Sequence, residues 1–371
     1  MMGNLKIQKK MKLKQKSDGV VLIALLTMLV VVFTTLMIST LSVDKLRAKR
    51  ITQNSAILNS AEESLLGYAL AQIPPGTLPC PDTTGDGLEN SSPGGCLSQR
   101  GLFPYRTLNA SQQIDRSGAA LWYAVELGYV ANDIGERNPS RSTSLSLDGD
   151  LVAAVILAPG KAIEGQARVP LNVSDFLEGD NADVNLSVYT RPQSSQENDQ
   201  VLGLDIDNYW SLMSTTALET SEQLLSAYKV ACLEYPWAAS FGGPYTSIAS
   251  QQIGSLALTT ALPFDWGSVC PSGIAPTPPP WLTTHWQGEL YYSMCTNIEG
   301  SCIQTVGDTL QLGSAIVLSP GVQLAAQSRP SALNINYFEL ENILAPTTQY
   351  RDQNLINNSA TYNDVTRLLT P

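Results

Sequence analysis

The sequence predicts an α+β protein: a long N-terminal helix, transmembrane and then amphipathic, followed by two tandem β-rich head modules. Three observations predict it. Val20–Leu41 runs 22 residues without a charge. A polar but helix-patterned segment then continues to Pro74-Pro75. Finally, residues 155–181 recur as residues 316–342 at an offset of 161. The expected division is a leader at 1–19, a long helix at 20–73 with its transmembrane half at 20–41, a first head at 74–206 and a second at 207–371.

The apolar run VVLIALLTMLVVVFTTLMISTL contains no Pro, Gly or charge. As a helix it spans about 33 Å, enough for a bilayer core of roughly 30 Å. Thr27, Thr34, Thr35, Ser39 and Thr40 can bond back to helix carbonyls. Beyond Leu41, apolar residues recur at three- and four-residue spacing (Leu46, Ile51, Ile57, Leu58, Ala61, Leu65, Leu66, Ala69). Pro74 and Pro75 must end the helix, because proline lacks the N–H and clashes with the preceding turn.

Residues 1–50 hold ten Lys/Arg and two Asp/Glu, whereas the remaining chain holds twelve and thirty-one. The leader's six lysines (Lys6, Lys9, Lys10, Lys12, Lys14, Lys16) keep that end cytoplasmic by the positive-inside rule, and the bulk is translocated. Lys45, Arg47, Lys49 and Arg50 weaken this bias without reversing it. A cleaved signal peptide needs a shorter apolar core and a small-x-small cut site, and Ser42-Val43-Asp44-Lys45 does not supply one. A plain single-pass anchor is the simplest alternative.

A Lys-rich leader ending in Gly19, an apolar helix starting at Val20 and an amphipathic continuation resemble the N-terminus of type IV pilins and type II secretion pseudopilins. The resemblance implies cleavage after Gly19 by a prepilin peptidase and methylation of the new N-terminus, Val20. It also implies residence in the inner membrane with the head in the periplasm, then packing among other pilin or pseudopilin subunits at a filament or the cell surface. Val20 stands where Phe or Met is usual, and Ala24 where Glu is usual. That Glu pairs with a neighbour's amine inside an apolar core. Its absence resembles the K-type minor pseudopilin and some large minor pilins, which favours a tip or initiating role. The first head is also similar to large prepilin-like proteins that carry a PCPDTxGDG loop and an APG…GQ.R segment. No catalytic role attaches to those motifs.

The exported part is acidic, which argues against nucleic-acid binding. Its six cysteines (Cys80, Cys96, Cys232, Cys270, Cys295, Cys302) are even in number and all follow the apolar run. In an oxidising compartment they read as up to three disulfides with fifteen pairings open; proximity suggests Cys80–Cys96, Cys232–Cys270 and Cys295–Cys302. With no CxxC and one histidine, His285, zinc is weakly supported.

The repeat aligns VILAPGKAIEGQARVPLNVSDFLEGDN with IVLSPGVQLAAQSRPSALNINYFELEN without a gap. Pro159-Gly160 falls on Pro320-Gly321, Gln166 on Gln327, Arg168 on Arg329, Glu178 on Glu339 and Asn181 on Asn342. In the same order, Glu63–Leu66 resembles Glu222–Leu225, Phe103–Tyr105 resembles Pro279–Trp281, Gly118–Tyr123 resembles Gln287–Tyr292, and Asn198-Asp199 resembles Asn363-Asp364. Leu121–Val125, Leu151–Leu157, Leu290–Ser293 and Ala315–Leu318 read as strands. Tyr209–Leu233 reads as a helix opening the second unit, and Pro276–Pro280 as a stiff loop.

The sharpest chemical signal is Pro81–Asn90, PDTTGDGLEN. Calcium loops alternate oxygen ligands around a glycine turn. Asp82, Thr84, Asp86, Leu88 (through its carbonyl) and Glu89 are the candidate Ca2+ ligands, and no other cofactor is implied. Pro93 stands where the bidentate Glu belongs, so the loop is not an EF-hand. The plain alternative is an Asx turn inside a disulfide loop. Asp175, Glu178, Asp180 and Asp183 read as a solvated turn. Trp122, Tyr123, Trp281, Trp286, Tyr291 and Tyr292 read as packing residues, with an adhesive surface as the alternative. A lone histidine builds no nucleophile system, and a non-enzymatic role is expected: a minor subunit at a filament tip, or an uncleaved membrane-anchored adhesin.

Overall fold

Why these residues form these elements is clearest in α1, Ser17–Ala71. The computed structural model describes residues 17–131, 133, 135–183, 185–194, 197–295, 302–306, 311–329, 331, 333–339, 342, 349–351 and 362–369. The leader lysines therefore lie outside the described residues, as do the side chains of residues 38–51. The chain divides into two units, Met1–Ala56 and Ile57–Pro371.

In the first unit, Gly19–Met37 is one 19-residue stretch with mean hydropathy 2.8, and its side chains are exposed all round. That length and composition are enough to cross a membrane. Thr27, Thr34 and Thr35 bond to carbonyls three or four residues back, so their hydroxyls need no water.

The second unit begins inside α1, where Leu58, Ala61, Leu65 and Ala69 form a buried stripe at helical spacing. Helix α1 ends three residues before Pro74. A short hairpin follows, β1 (Ser91–Ser92) with β2 (Gly95–Cys96). Next come β3 (Arg100–Leu102), β4 (Trp122–Val125), β5 (Ser146–Leu147), β6 (Asp150–Ala158), β7 (Val188–Tyr189) and β8 (Gln200–Asp205). β3-β4-β6-β8 is antiparallel; β5 pairs with the start of β6 and, in parallel, with β7.

Asp205 caps α2 (Ile206–Cys232), its side chain accepting from Asn208 N–H. After it come β9 (Ile253–Ser255), the hairpin of β10 (Val269–Cys270) and β11 (Gly273–Ile274), and α3 (Pro280–His285). Then follow β12 (Tyr291–Met294), β13 (Ile303–Val306), β14 (Gln311–Gly313), β15 (Ala315–Ser319), β16 (Gln349–Arg351) and β17 (Val365–Leu369). The second sheet, β9-β12-β15-β17, is antiparallel, and β14-β13-β16 forms a third.

The repeat is structural as well as sequential. Trp122 pairs with Leu157 and Tyr123 with Ile156; Tyr291 pairs with Leu318 and Tyr292 with Val317. Both pairs of central strands are buried on both faces, which is why they read as continuous apolar runs. One face of each sheet joins the main core with α1 and α2; the other faces are covered separately by Leu177 and Tyr189 and by Phe338 and Tyr350.

Two expectations change. Helix α2 starts at Ile206, where the boundary between heads was expected, but it packs on β6 and β8 of one sheet and on β15 and β17 of the other. The two repeats therefore share a core within one unit. Phe103–Tyr105 and Pro279–Trp281 are not equivalents: the first lies in the loop after β3, whereas Pro280 and Trp281 open α3. The stiff loop holds over residues 276–279, and only Pro280 passes into α3, where proline at N1 favours a helix start.

Candidate functional site

All six cysteines are paired: Cys80–Cys96, Cys232–Cys270 and Cys295–Cys302. Closing the 16-residue separation of the first constrains the unfolded chain by about 3 kcal/mol.

Inside that loop, Asp82 is the organiser. It is buried, and its carboxylate accepts from the amides of Thr84, Gly85 and Gly87 at 2.9, 2.7 and 2.6 Å and from the Thr84 hydroxyl at 3.2 Å. Gly85 and Gly87 both sit at φ +84°, and a Cβ on Gly87 would lie 2.5 Å from the Tyr105 ring. Asp86 accepts from Leu88 N–H, and Glu89 accepts from Cys80 N–H at 2.9 Å. Asp82 thus spends both oxygens on the loop's own donors, the geometry of an Asx turn, while Asp86 and Glu89 each commit one. Among the described residues no group of three or more His, Cys, Asp and Glu is placed to hold a metal ion.

The solvated-turn reading of the acidic cluster fails for half of it. Asp180 and Asp183 are exposed, but Asp175 and Glu178 are buried. Asp175 accepts from the amides of Ala167 and Val169 and from Asn172, and these bonds hold its carboxyl below its ordinary range. Glu178 sits in a polar network that the second repeat reproduces. Gln166 donates to Glu178 and Gln327 to Glu339. Asn181 bonds Thr190 through both N–H and C=O, as Asn342 bonds Arg351. Arg168 reaches Gly160 O and stacks on Phe176, and Arg329 reaches Gly321 O and stacks on Tyr337. The shared Glu, Asn and Asn-Asp positions of the two repeats were the available signal; the spacing within either repeat does not reveal the contacts.

Trp122, Tyr123, Trp286, Tyr291 and Tyr292 are buried, and Trp281 is partly buried against the core. They are packing residues, so they do not form an adhesive surface.

A polar cleft of about 880 Å³ lies where the repeats meet. Glu126, Asp133, Glu136, Ser140 and Arg141 come from the first repeat, Glu289 and Arg329 from the second. Ser140 Oγ donates to Glu289 at 2.9 Å. Loss of water pushes the Glu289 carboxyl up to about 7, and Arg329 opposes the rise. His285 belongs to the joint beside this cleft: its Nδ1 accepts from Arg137 N–H at 3.3 Å, and its carbonyl accepts from Asn138 Nδ2 at 2.9 Å. Burial, then Arg137, lowers its pKa, favouring the neutral ring that this bond requires.

No family model matches the chain, and no curated protein or solved structure matches it.

Proposed function

We propose that the protein is a minor pilin- or pseudopilin-like structural subunit, cut after Gly19 and seated at the tip of a filament or initiating its assembly. The carrying observation is the contrast along α1. From Gly19 to Met37 every side chain is exposed, whereas Leu58, Ala61, Leu65 and Ala69 are sealed in a protein core. A naked apolar helix needs lipid or the apolar helices of other subunits around it. Gly19 stands immediately before the apolar run, where a prepilin peptidase would cut. The three disulfides suit an oxidising, extracytoplasmic site for the body.

A second reading, an uncleaved inner-membrane anchor with a periplasmic or surface binding body, draws on the polar cleft between the repeats. Intact mass and N-terminal sequencing of the protein from its own membranes, with and without the peptidase, separate the two. A methylated, peptidase-dependent Val20 terminus with co-purifying pilin subunits is expected. An unprocessed leader in both strains overturns the filament reading and leaves the anchor.

A further inference from the structure

The duplicated network contains two buried pairs of carboxyls. Glu178, Asp199, Glu339 and Asp364 are 8, 1, 7 and 0% exposed. Glu178 Oε1 accepts from Gln166, and its Oε2 accepts from the amides of Asn198 and Asp199 at 3.0 and 3.2 Å. Asp199 Oδ2 accepts from Glu178 N–H at 2.9 Å and from Asn181 Nδ2 at 3.3 Å. In the second repeat, Glu339 accepts from Gln327 and from Asn363 N–H, and Asp364 Oδ2 accepts from Glu339 N–H and Asn342 at 3.0 and 2.9 Å. In both repeats the same atom is left over: Oδ1 of Asp199 and Oδ1 of Asp364 are buried without a partner among the described residues.

Two adjacent buried carboxylates repel, and an orphaned acceptor costs free energy. One proton removes both problems. Placed on the aspartate, it turns Oδ1 into a donor, and each aspartate carboxyl is held at its glutamate by accepting from that residue's backbone N–H. We propose that each repeat is closed by a buried acid–carboxylate pair, Asp199 donating to Glu178 and Asp364 donating to Glu339. The pairs tie the Asn-Asp tails that lead into β8 and β17 to the segments following the Pro-Gly turns. They form a pH-sensitive latch present twice.

The charged surroundings agree. Near Asp199 stand Glu178, the exposed Asp180, the half-buried Glu197 beside Gly179, Lys161, Arg100 and Arg168. Near Asp364 stand Glu339, Arg329, Tyr362, Arg351 and, through Asn363, Asp207. Arg168 and Arg329 donate to backbone carbonyls and, for Arg329, to Gln327, rather than to these carboxyls. Burial, then the neighbouring glutamate, raises Asp199 to about 9 and Asp364 well above its ordinary range. An ordinary aspartate titrates at about 4, so folding takes up these protons, and stability falls as pH rises above about 4, through to about 9 for Asp199.

The test uses Asp199→Asn, Asp364→Asn and the double variant of the full chain in detergent micelles, with urea unfolding followed by tryptophan fluorescence from pH 5 to 8. An amide keeps a donor toward the glutamate but does not titrate. Each single variant is expected to lower the proton uptake on folding by about one relative to the parent, the double variant by about two, and all three to gain stability at pH 8. A parent slope retained in the variants, or a uniform loss of stability at every pH, overturns the proposal. Should the variants not fold, the infrared C=O stretch of a protonated, isotope-labelled aspartic acid in the parent at pH 7 decides, its absence being fatal. Calcium that stabilises the parent and abolishes that band would assign the orphan oxygens to a cation and overturn it equally.

Discussion

Asn198 stands directly against Gly160: a Cβ on that glycine would lie 2.2 Å from the Asn198 side-chain oxygen. The same approach joins Gly321 to Asn363, at 2.1 Å from its Cγ. Asn198 uses this position to bond Lys161 O, and Asn363 to bond Val322 O. Gly160 also holds φ +71°. Gly160→Ala is therefore expected to cost at least about 2 kcal/mol, from strain and clash together, and Gly321→Ala a similar amount from the clash. Urea midpoints check this, Gly160→Ala against a control alanine at Gly94, which shares a positive φ but has open space, and Gly321→Ala against one at Gly67, open and without a positive φ. Values equal to that control would show that the Asn tails yield freely.

The repeat and its strands were legible because they rest on local pattern. Val152–Ala158 and Ala315–Leu318 are apolar on both faces and stop at Pro-Gly, so their residues alone announce buried strands. The shared core was not legible. Trp210 bonds the Tyr129 hydroxyl and packs edge-on against Trp286, contacts between residues about 80 apart that no local spacing encodes. Burial of Glu178 was hidden for the same reason, since its partner Asp199 lies 21 positions away. Loop chemistry fell between these cases: PDTTGDG shows an Asp-Gly turn, but whether its oxygens face a cation or the loop's own amides is decided by the fold.

Asp82 turns both of its carboxylate oxygens to the loop's amides. Asp82→Ala leaves the Thr84, Gly85 and Gly87 amides without their acceptor, with an expected loss of about 2–4 kcal/mol. Because those oxygens are already engaged, calcium or EGTA should leave the parent's thermal midpoint unchanged. A calcium-dependent rise that Asp82→Ala abolishes would restore the loop as a cation site.

Helix α2 should make the two repeats unfold together. Tyr209, Trp210, Met213, Ala217, Leu218 and Leu225 are buried in the one cluster that also takes Ile156 and Val317 from the two sheets. Truncating Trp210→Ala is expected to cost about 3–5 kcal/mol and to shift a single transition, seen alike by fluorescence and circular dichroism. Two separated transitions, with only one moved, would mean that the heads are independently stable.

Glu289 gives the cleft its own pH response. It is buried, Ser140 is the one donor to its carboxylate among the described residues, and burial pushes its pKa up to about 7 from the ordinary glutamate value of about 4.3. The folded state therefore holds a proton that the unfolded state has lost, and stability declines as pH rises from about 4 to about 7, then levels. Gln at this position keeps an acceptor for Ser140 and carries no charge. Glu289→Gln should match the parent at pH 4, exceed it increasingly up to pH 7, and hold an advantage of up to about 3 kcal/mol above that. This window closes below that of the carboxyl latches, so the two responses separate in one pH series of urea titrations. A Glu289→Gln advantage that is equal at pH 4 and pH 8 would show that the carboxylate is ionised in the fold and that Arg329, rather than burial, sets its charge.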